Sequence, residues 1–145
     1  MAVQRSTDTM TEETPLIQTT EQLRELANRG QSGEGCDCHL IQFQGWDSIT
    51  DMRWPAAQMQ QIADLREPGV DEPTFEEFHP HRTRYESPEA PIALAYFPVN
   101  RSTVWRCRKC GIQVMRYTEF GGYYVDQRVR VLNAALVVDA PAPTV

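Results

Sequence analysis

No stretch of this 145-residue sequence approaches the roughly 18 consecutive apolar residues that a membrane-crossing helix requires. Met1 to Thr20 is polar and partly acidic and has no apolar h-region, so it does not read as a secretory signal. The P-loop pattern, G-x-G-x-x-G and G-x-S-x-G are all missing, which removes the commonest nucleotide-binding and hydrolase signatures. No internal repeat is visible. Cysteine is scarce too, with four in the chain. The expected location is the cytoplasm, where thiols stay reduced and structural disulfides are disfavoured.

What is present is sized for one domain. At 41% hydrophobic and 23% charged residues, the composition is that of an ordinary globular chain with a core of its own. The net charge of −6 is unevenly distributed. Between Asp64 and Glu89 eight acids face three arginines, whereas between Arg101 and Arg130 seven bases face two acids. Either the two regions complement each other within the fold, or one of them meets a charged partner.

Residues 1–18 are rich in Thr, Glu and Gln and are expected to form a disordered tail. Thr19 and Gln22 have capping-box spacing, Leu23, Leu26 and Ala27 mark a helical face, and Gly30 offers a C′ stop, which predicts a helix to about Arg29. Leu40, Ile41 and Phe43 read as a short strand ending near Gly45. Trp54-Pro55 resembles a helix entry, with Met59, Ile62 and Leu65 at i, i+3 and i+6 as its buried face, stopped by Pro68-Gly69. Five prolines between Pro68 and Pro91 mark a long connection with one helical turn expected at Thr74 to Phe78. Strands are expected over Ile92 to Phe97, at Thr103 to Trp105, and after Cys110 through Ile112, Val114, Met115 and Tyr117. Gly121-Gly122 predicts a hairpin between Thr118-Glu119-Phe120 and Tyr123-Tyr124-Val125, and the apolar pattern continues through Val129, Val131 and Leu132 in strand or short helix. The sum is a small α+β domain over 19–140 with an antiparallel C-terminal sheet, followed by a frayed end at 141–145.

The cysteines fall into two close pairs, Cys36/Cys38 and Cys107/Cys110. A structural zinc ion takes four ligands in a tetrahedron, and two short knuckles with two thiolates each supply them. Gly111 after Cys110 lets the backbone turn tightly, and Arg108 and Lys109 favour the thiolate form of their neighbours. Cys-x-Cys is tighter than the usual Cys-x-x-Cys, and His39 is adjacent, so a ligand set containing His39 stays open beside the all-cysteine one. A redox pair is the main alternative; a thioredoxin-like Cys-x-x-Cys would open a helix, whereas Ile112-Gln113-Val114 reads as strand. Iron–sulfur clusters also use four thiolates, so iron remains open. A nucleobase-deaminase site fails, because no His is followed two positions later by Glu and Arg106 precedes Cys107.

Three further constellations carry candidate chemistry. Asp71, Glu72, Glu76 and Glu77 in the acidic connection would meet a basic protein. Arg106, Arg108, Lys109 and Arg116, interleaved with Trp105, Tyr117, Phe120, Tyr123 and Tyr124, would meet nucleic acid, although the acidic pI near 5.0 argues against it. Glu76, Glu77, His79 and His81 would serve acid–base work or a second metal, against the plainer reading of an exposed polar loop.

Cys107 to Gly111 resembles the knuckle of zinc-ribbon proteins, which implies a structural metal and no activity. Arg116 to Asp126, centred on Phe120-Gly121-Gly122-Tyr123, resembles small bacterial proteins of unassigned function with paired cysteines, which implies a link to toxin–immunity systems. Neither resemblance assigns a role to a residue. The expectation is a non-enzymatic, protein-binding, zinc-stapled module, an immunity-type inhibitor of a basic toxin in its most concrete form, with a nucleic-acid-binding or regulatory zinc ribbon as the alternative.

Overall fold

Residues 14–66, 87–96, 98–120 and 123–140 are described in the computed structural model of the chain. The first element is helix α1 (Thr20–Ala27). Its start follows the capping box: the Thr19 hydroxyl accepts from the Gln22 amide at 3.1 Å, and the Gln22 side-chain oxygen accepts from the Thr19 amide at 3.2 Å. Leu23 and Ala27 face the core. The helix ends short of Arg29, and Gly30 does not adopt the left-handed conformation of a C′ stop. The amides of Arg29 and Gly30 instead reach back three residues, to the carbonyls of Leu26 and Ala27, and tighten the last turn.

Five of the described strands form one antiparallel sheet: β1 (Asp47–Ser48), β2 (Met59–Asp64), β4 (Thr103–Cys107), β5 (Gln113–Phe120) and β6 (Val125–Val131), in the order β1-β6-β5-β4-β2. Two short strands, β3 (Ile92–Ala93) and β7 (Val137–Val138), pair in parallel beside it. The expected α+β domain with an antiparallel C-terminal half is what the chain builds.

The register explains why the sheet is apolar on both sides. Val104 pairs with Met115, which pairs with Arg130; one step along, Trp105 pairs with Val114, which pairs with Val131. Successive residues point to opposite faces, so the two rows serve two cores. Val104, Met115 and Tyr117 pack with Leu23 and Ala27 of α1, with Trp46 and with Ile92 and Val137. Val114 and Val129 pack on the other side with Leu40, Phe43, Ile49 and Trp54, together with Cys38 and Cys107. Trp46 stands edge-on to Tyr117, ring centroids 4.9 Å apart, and closes the first core. Arg130 is buried within this framework and donates to the Ala90 carbonyl.

Four expectations are corrected. Leu40, Ile41 and Phe43 do not form a strand: His39 is left-handed, the chain reverses, and Leu40–Gln42 is a 3-10 turn closed by the Phe43 amide on the Leu40 carbonyl at 3.0 Å. Leu40 and Phe43, one turn apart, are both buried. The helix expected after Pro55 is one 3-10 turn (Ala56–Gln58) followed by β2. The misleading i, i+3, i+6 spacing is a β-bulge: Gln61 pairs with Trp105 and Ala63 with Val104, so the ladder skips Ile62 and the strand changes faces. Met59 therefore serves the cysteine-side core while Ala63 and Leu65 serve the helix-side core. The apolar run from Ile92 is strand only to Ala93, because the Tyr96 amide turns back onto the Ala93 carbonyl at 3.0 Å. The tail expected through residue 18 is docked at its inner end, where Leu16 bridges Asp64 and the Ile17 amide donates to the Asp64 carbonyl at 2.9 Å.

The predicted hairpin is present, with Phe120 opposite Val125 as the last pair; Tyr123 and Tyr124 lie in the connection rather than in the strand. Residues 1–13, 67–86, 97, 121–122 and 141–145, including the helical turn expected at 74–78 and the frayed end, lie outside the described residues.

Because Leu23 is fully buried between helix and sheet, Leu23→Ala is expected to cost about 2–5 kcal/mol in urea unfolding. Thr19→Ala, which removes only the cap, should cost about 1 kcal/mol. Equal losses for the two variants would mean that α1 does not hold the sheet face.

Candidate metal centre

The two knuckles arise from different constraints. Cys107 is the last residue of β4, held in register opposite Met59. The chain then turns so that the Gly111 amide donates to the Cys107 carbonyl at 2.8 Å and the Cys107 amide to the Ile112 carbonyl at 3.0 Å. Gly111 sits at φ +82°, where an L side chain is strained, and an added Cβ would come within 3.0 Å of the Gln31 side chain. The first knuckle leaves the helix through a loop that rests on the second. The Gln31 amide donates to the Gly111 carbonyl at 3.1 Å. Gly33, at φ +77°, lies so close to Ile112 that a Cβ there would approach its Cδ1 to 2.8 Å. The loop then delivers Cys36 and Cys38 to the sheet's cysteine side.

The result is a compact group of four sulfurs. Cys36 Sγ lies 3.9 Å from Cys107 Sγ and Cys38 Sγ lies 3.8 Å from Cys110 Sγ, with all four ligand atoms within 4.8 Å of one another. Thiolates about 2.3 Å from a tetrahedral zinc ion would stand about 3.8 Å apart, so the spacing fits such an ion. It does not fit disulfides, whose S–S length is about 2.05 Å; all four cysteines are free. Cys107 and Cys38 are buried, while Cys36 and Cys110 are partly exposed.

Backbone amides converge on the sulfurs. Those of Lys109 and Cys110 serve Cys107, that of Ile112 serves Cys110, and that of Leu40 serves Cys38. The two halves are local copies: Cys38-His39-Leu40 and Cys110-Gly111-Ile112 each place a left-handed residue after the cysteine and aim the next amide back at the sulfur. His39 at φ 58° is therefore the counterpart of Gly111, and its ring is exposed. The cluster is made of cysteines alone.

Burial pushes the Cys38 thiol up, and the neighbouring Cys36 and Cys110 thiols add to it. Burial likewise raises Cys110 despite the Ile112 amide. At Cys107 burial also pushes upward, but the Cys110 and Lys109 amides outweigh it and hold this thiol below its ordinary value. Across the outer side of the cluster, Lys109 Nζ pairs with Asp37 Oδ2 at 3.1 Å and joins the two knuckles. Its hydrogen bond holds the Asp37 carboxyl below the usual range. Gln58 supports the inner side, accepting from the Arg108 amide at 2.8 Å through its carbonyl and standing 3.4 Å from Cys107 Sγ through its side chain. Sequence reading missed Asp37, Gln58 and Gly33; the one available signal was the repeated order of cysteine, permissive residue and apolar residue.

The other expected sites fare differently. Asp71, Glu72, Glu76 and Glu77, with His79 and His81, lie outside the described residues. Arg106, Arg108, Lys109 and Arg116 do not form one basic surface. Arg106 lies opposite Gln113 on the helix side of the sheet, whereas Arg116 shares the other face with Trp105 and Val114. Arg108 and Lys109 are exposed on the knuckle, with Lys109 committed to Asp37. The Arg116 guanidinium lies 4.4 Å from the Trp54 ring centroid and 5.8 Å from that of Trp105, and burial there lowers its pKa. Trp105 and Tyr117 belong to the cores, while Phe120, Tyr123 and Tyr124 are exposed at the hairpin end.

Fold and site together define a small α+β domain carrying four thiols placed to hold a metal ion. Comparison of the chain with protein-family models, with curated proteins and with solved structures gave no match. No helix among the described residues is long and apolar enough to cross a membrane.

If His39 serves only its backbone conformation, His39→Gly retains the full metal content and is neutral or stabilising by up to about 1 kcal/mol. Metal analysis and urea unfolding of this variant check both points; loss of the metal would make the imidazole a ligand.

Proposed function

We propose that the chain is a non-enzymatic protein-binding module whose four cysteines, Cys36, Cys38, Cys107 and Cys110, hold one structural zinc ion. The observation that carries the metal assignment is four sulfurs within 4.8 Å of one another, two of the pairs between the knuckles at 3.8 and 3.9 Å, close to the edge of a thiolate tetrahedron around zinc. A catalytic zinc keeps an open position and usually takes His or carboxylate ligands. Here the set is all thiolate, and the adjacent carboxylate, Asp37, is engaged by Lys109. Two features support the binding role. Phe120 at 66% exposure, Tyr123 at 103% and Tyr124 at 54% crowd the hairpin end, and exposed aromatic clusters of this kind are enriched at protein interfaces. The net charge is −6, with Asp71, Glu72, Glu76 and Glu77 in the densest acidic segment of the sequence, which favours a basic protein as partner. An immunity-type inhibitor facing a basic bacterial toxin in the cytoplasm is the most concrete form of this reading. The alternative, a regulatory zinc ribbon using Arg106, Arg108, Lys109 and Arg116 on nucleic acid, draws support only from the exposed Arg106 and Arg108.

Native mass spectrometry of the protein from its natural host weighs both halves of the proposal. One zinc per chain with a stoichiometric protein partner is the expected result. Lysine at Asp71, Glu72, Glu76 and Glu77 should then weaken the complex, as should serine at Tyr123 and Tyr124. A complex indifferent to both sets would remove the proposed interface. Visible thiolate-to-metal absorption from the purified protein would replace zinc with iron.

Metal binding must displace protons from the raised Cys38 and Cys110 thiols, so apparent affinity climbs with pH and falls on acidification. In the bound state the ligands behave as thiols of depressed pKa, and the stability they add is present at neutral pH and lost as pH drops. Chelation at neutral pH should lower Tm while leaving the sheet signal in far-ultraviolet circular dichroism, because the helix-side core does not include the cysteines. Complete unfolding on chelation would show that the sheet cannot stand without the metal.

A further inference from the structure

On the helix side of the sheet, away from the cysteines, α1 does not cover β2 and β4 fully. A groove of about 550 Å³ remains between α1, the docked segment 15–17 and the strands. Its apolar wall includes Leu16, Ile17, Leu26 and Ile62, and its charged groups are Glu25, Arg29 and Arg106. Among the described residues neither arginine has an ion-pair partner. They arrive from different elements: Arg29 follows the last turn of α1, and Arg106 projects from β4 directly opposite Gln113 of β5. Gln113 also lines the groove, is 3% exposed, and its Oε1 has no hydrogen-bond partner. Gly30 leaves room for this amide, since a Cβ there would lie 3.2 Å from both Cδ and Oε1 of Gln113.

Two guanidiniums against one carboxylate favour an anion, and guanidinium matches carboxylate geometry through paired N–H donors. A buried acceptor without a partner calls for an N–H or O–H donor. The apolar wall calls for a hydrocarbon body next to both. We infer that the groove binds a small carboxylate ligand that carries an apolar body and a neighbouring hydrogen-bond donor. The carboxylate lies between Arg29 and Arg106, the donor meets Gln113, and the apolar body covers Leu26 and Ile62. This site is independent of the metal centre and of the protein-binding reading.

The test is a ¹⁵N-correlation titration of the full metal-bound chain with three probes: N-acetyl-leucine, N-acetyl-leucinamide and 4-methylpentanoate. At about 10 mM, N-acetyl-leucine should give saturable shifts at Arg29, Ile62, Arg106 and Gln113. The uncharged carboxamide should bind at least about tenfold more weakly, having lost the charge-assisted bonds. 4-Methylpentanoate, which keeps the charge and lacks the N–H, should fall between them. Arg106→Gln, at an exposed position that leaves folding intact, should weaken N-acetyl-leucine about tenfold with metal content unchanged. Absence of saturable shifts would overturn the inference, and so would equal binding of acid and carboxamide or indifference to Arg106→Gln. A chain purified without metal that still binds the acid would remove the metal reading and leave the groove standing.

Discussion

Four sulfurs gathered within 4.8 Å of one another set the terms for the rest of the structure. They join positions 71 and 72 residues apart in sequence, a closure that costs on the order of 4 kcal/mol in chain entropy before any contact is made. In the folded chain, contacts other than the sulfurs also hold both knuckles. The second is built into the β4–β5 turn, where strand register already places Cys107 and Cys110. The first has no strand to hold it, so it leans on the second through Gln31, Gly33 and Ile112. The positive φ angles at Gly33, Gly35, His39 and Gly111 all occur in these two segments, which shows where the backbone bends hardest to bring the thiols together.

The cluster also accounts for the sheet's two-sided burial. An antiparallel sheet of this size usually leaves one face to water. Here the chain between Cys38 and Met59 must travel from the cluster across the sheet, and it carries Leu40, Phe43, Ile49 and Trp54 onto that face. Helix α1 and the β3–β7 pair occupy the other. The bulge at Ile62 lets one edge strand serve both sides, delivering Met59 beside Cys107 and Ala63 beside Val104.

This two-sidedness decides what was legible in the sequence. The capping box, the paired cysteines and the β5–β6 hairpin are local patterns, each with one physical solution, and they were readable. The segment after Pro55 was not, because a bulged strand feeding two cores produces apolar spacing close to that of a helix. Leu40 to Phe43 was misread for a related reason: the deciding feature was the left-handed backbone at His39, and histidine does not announce that conformation as glycine does. His39 lies outside the group of four sulfurs, and its left-handed backbone is what turns the chain there. Asp37 and Lys109 were unreadable as a pair, since only the folded cluster brings the two knuckles' outer residues face to face.

The charge asymmetry along the chain resolves differently on each side. The basic C-terminal half looked like a candidate phosphate-binding surface, but the fold consumes much of it. Arg130 is buried, Arg116 lies over Trp54, Arg128 is held 3.0 Å from Asp126, and Lys109 is held by Asp37. Of the seven bases between Arg101 and Arg130, Arg106 and Arg108 are both exposed and uncommitted to an ion pair among the described residues, on either side of Cys107. Tight binding to nucleic acid draws on several phosphate contacts, and among the described residues between Arg101 and Arg130 these two arginines are exposed and free of ion pairs. Arg116 and Arg130 thus act inside the fold. The exposed aromatics of the hairpin end and the net negative charge of the chain are the features on which the proposed protein-binding role rests.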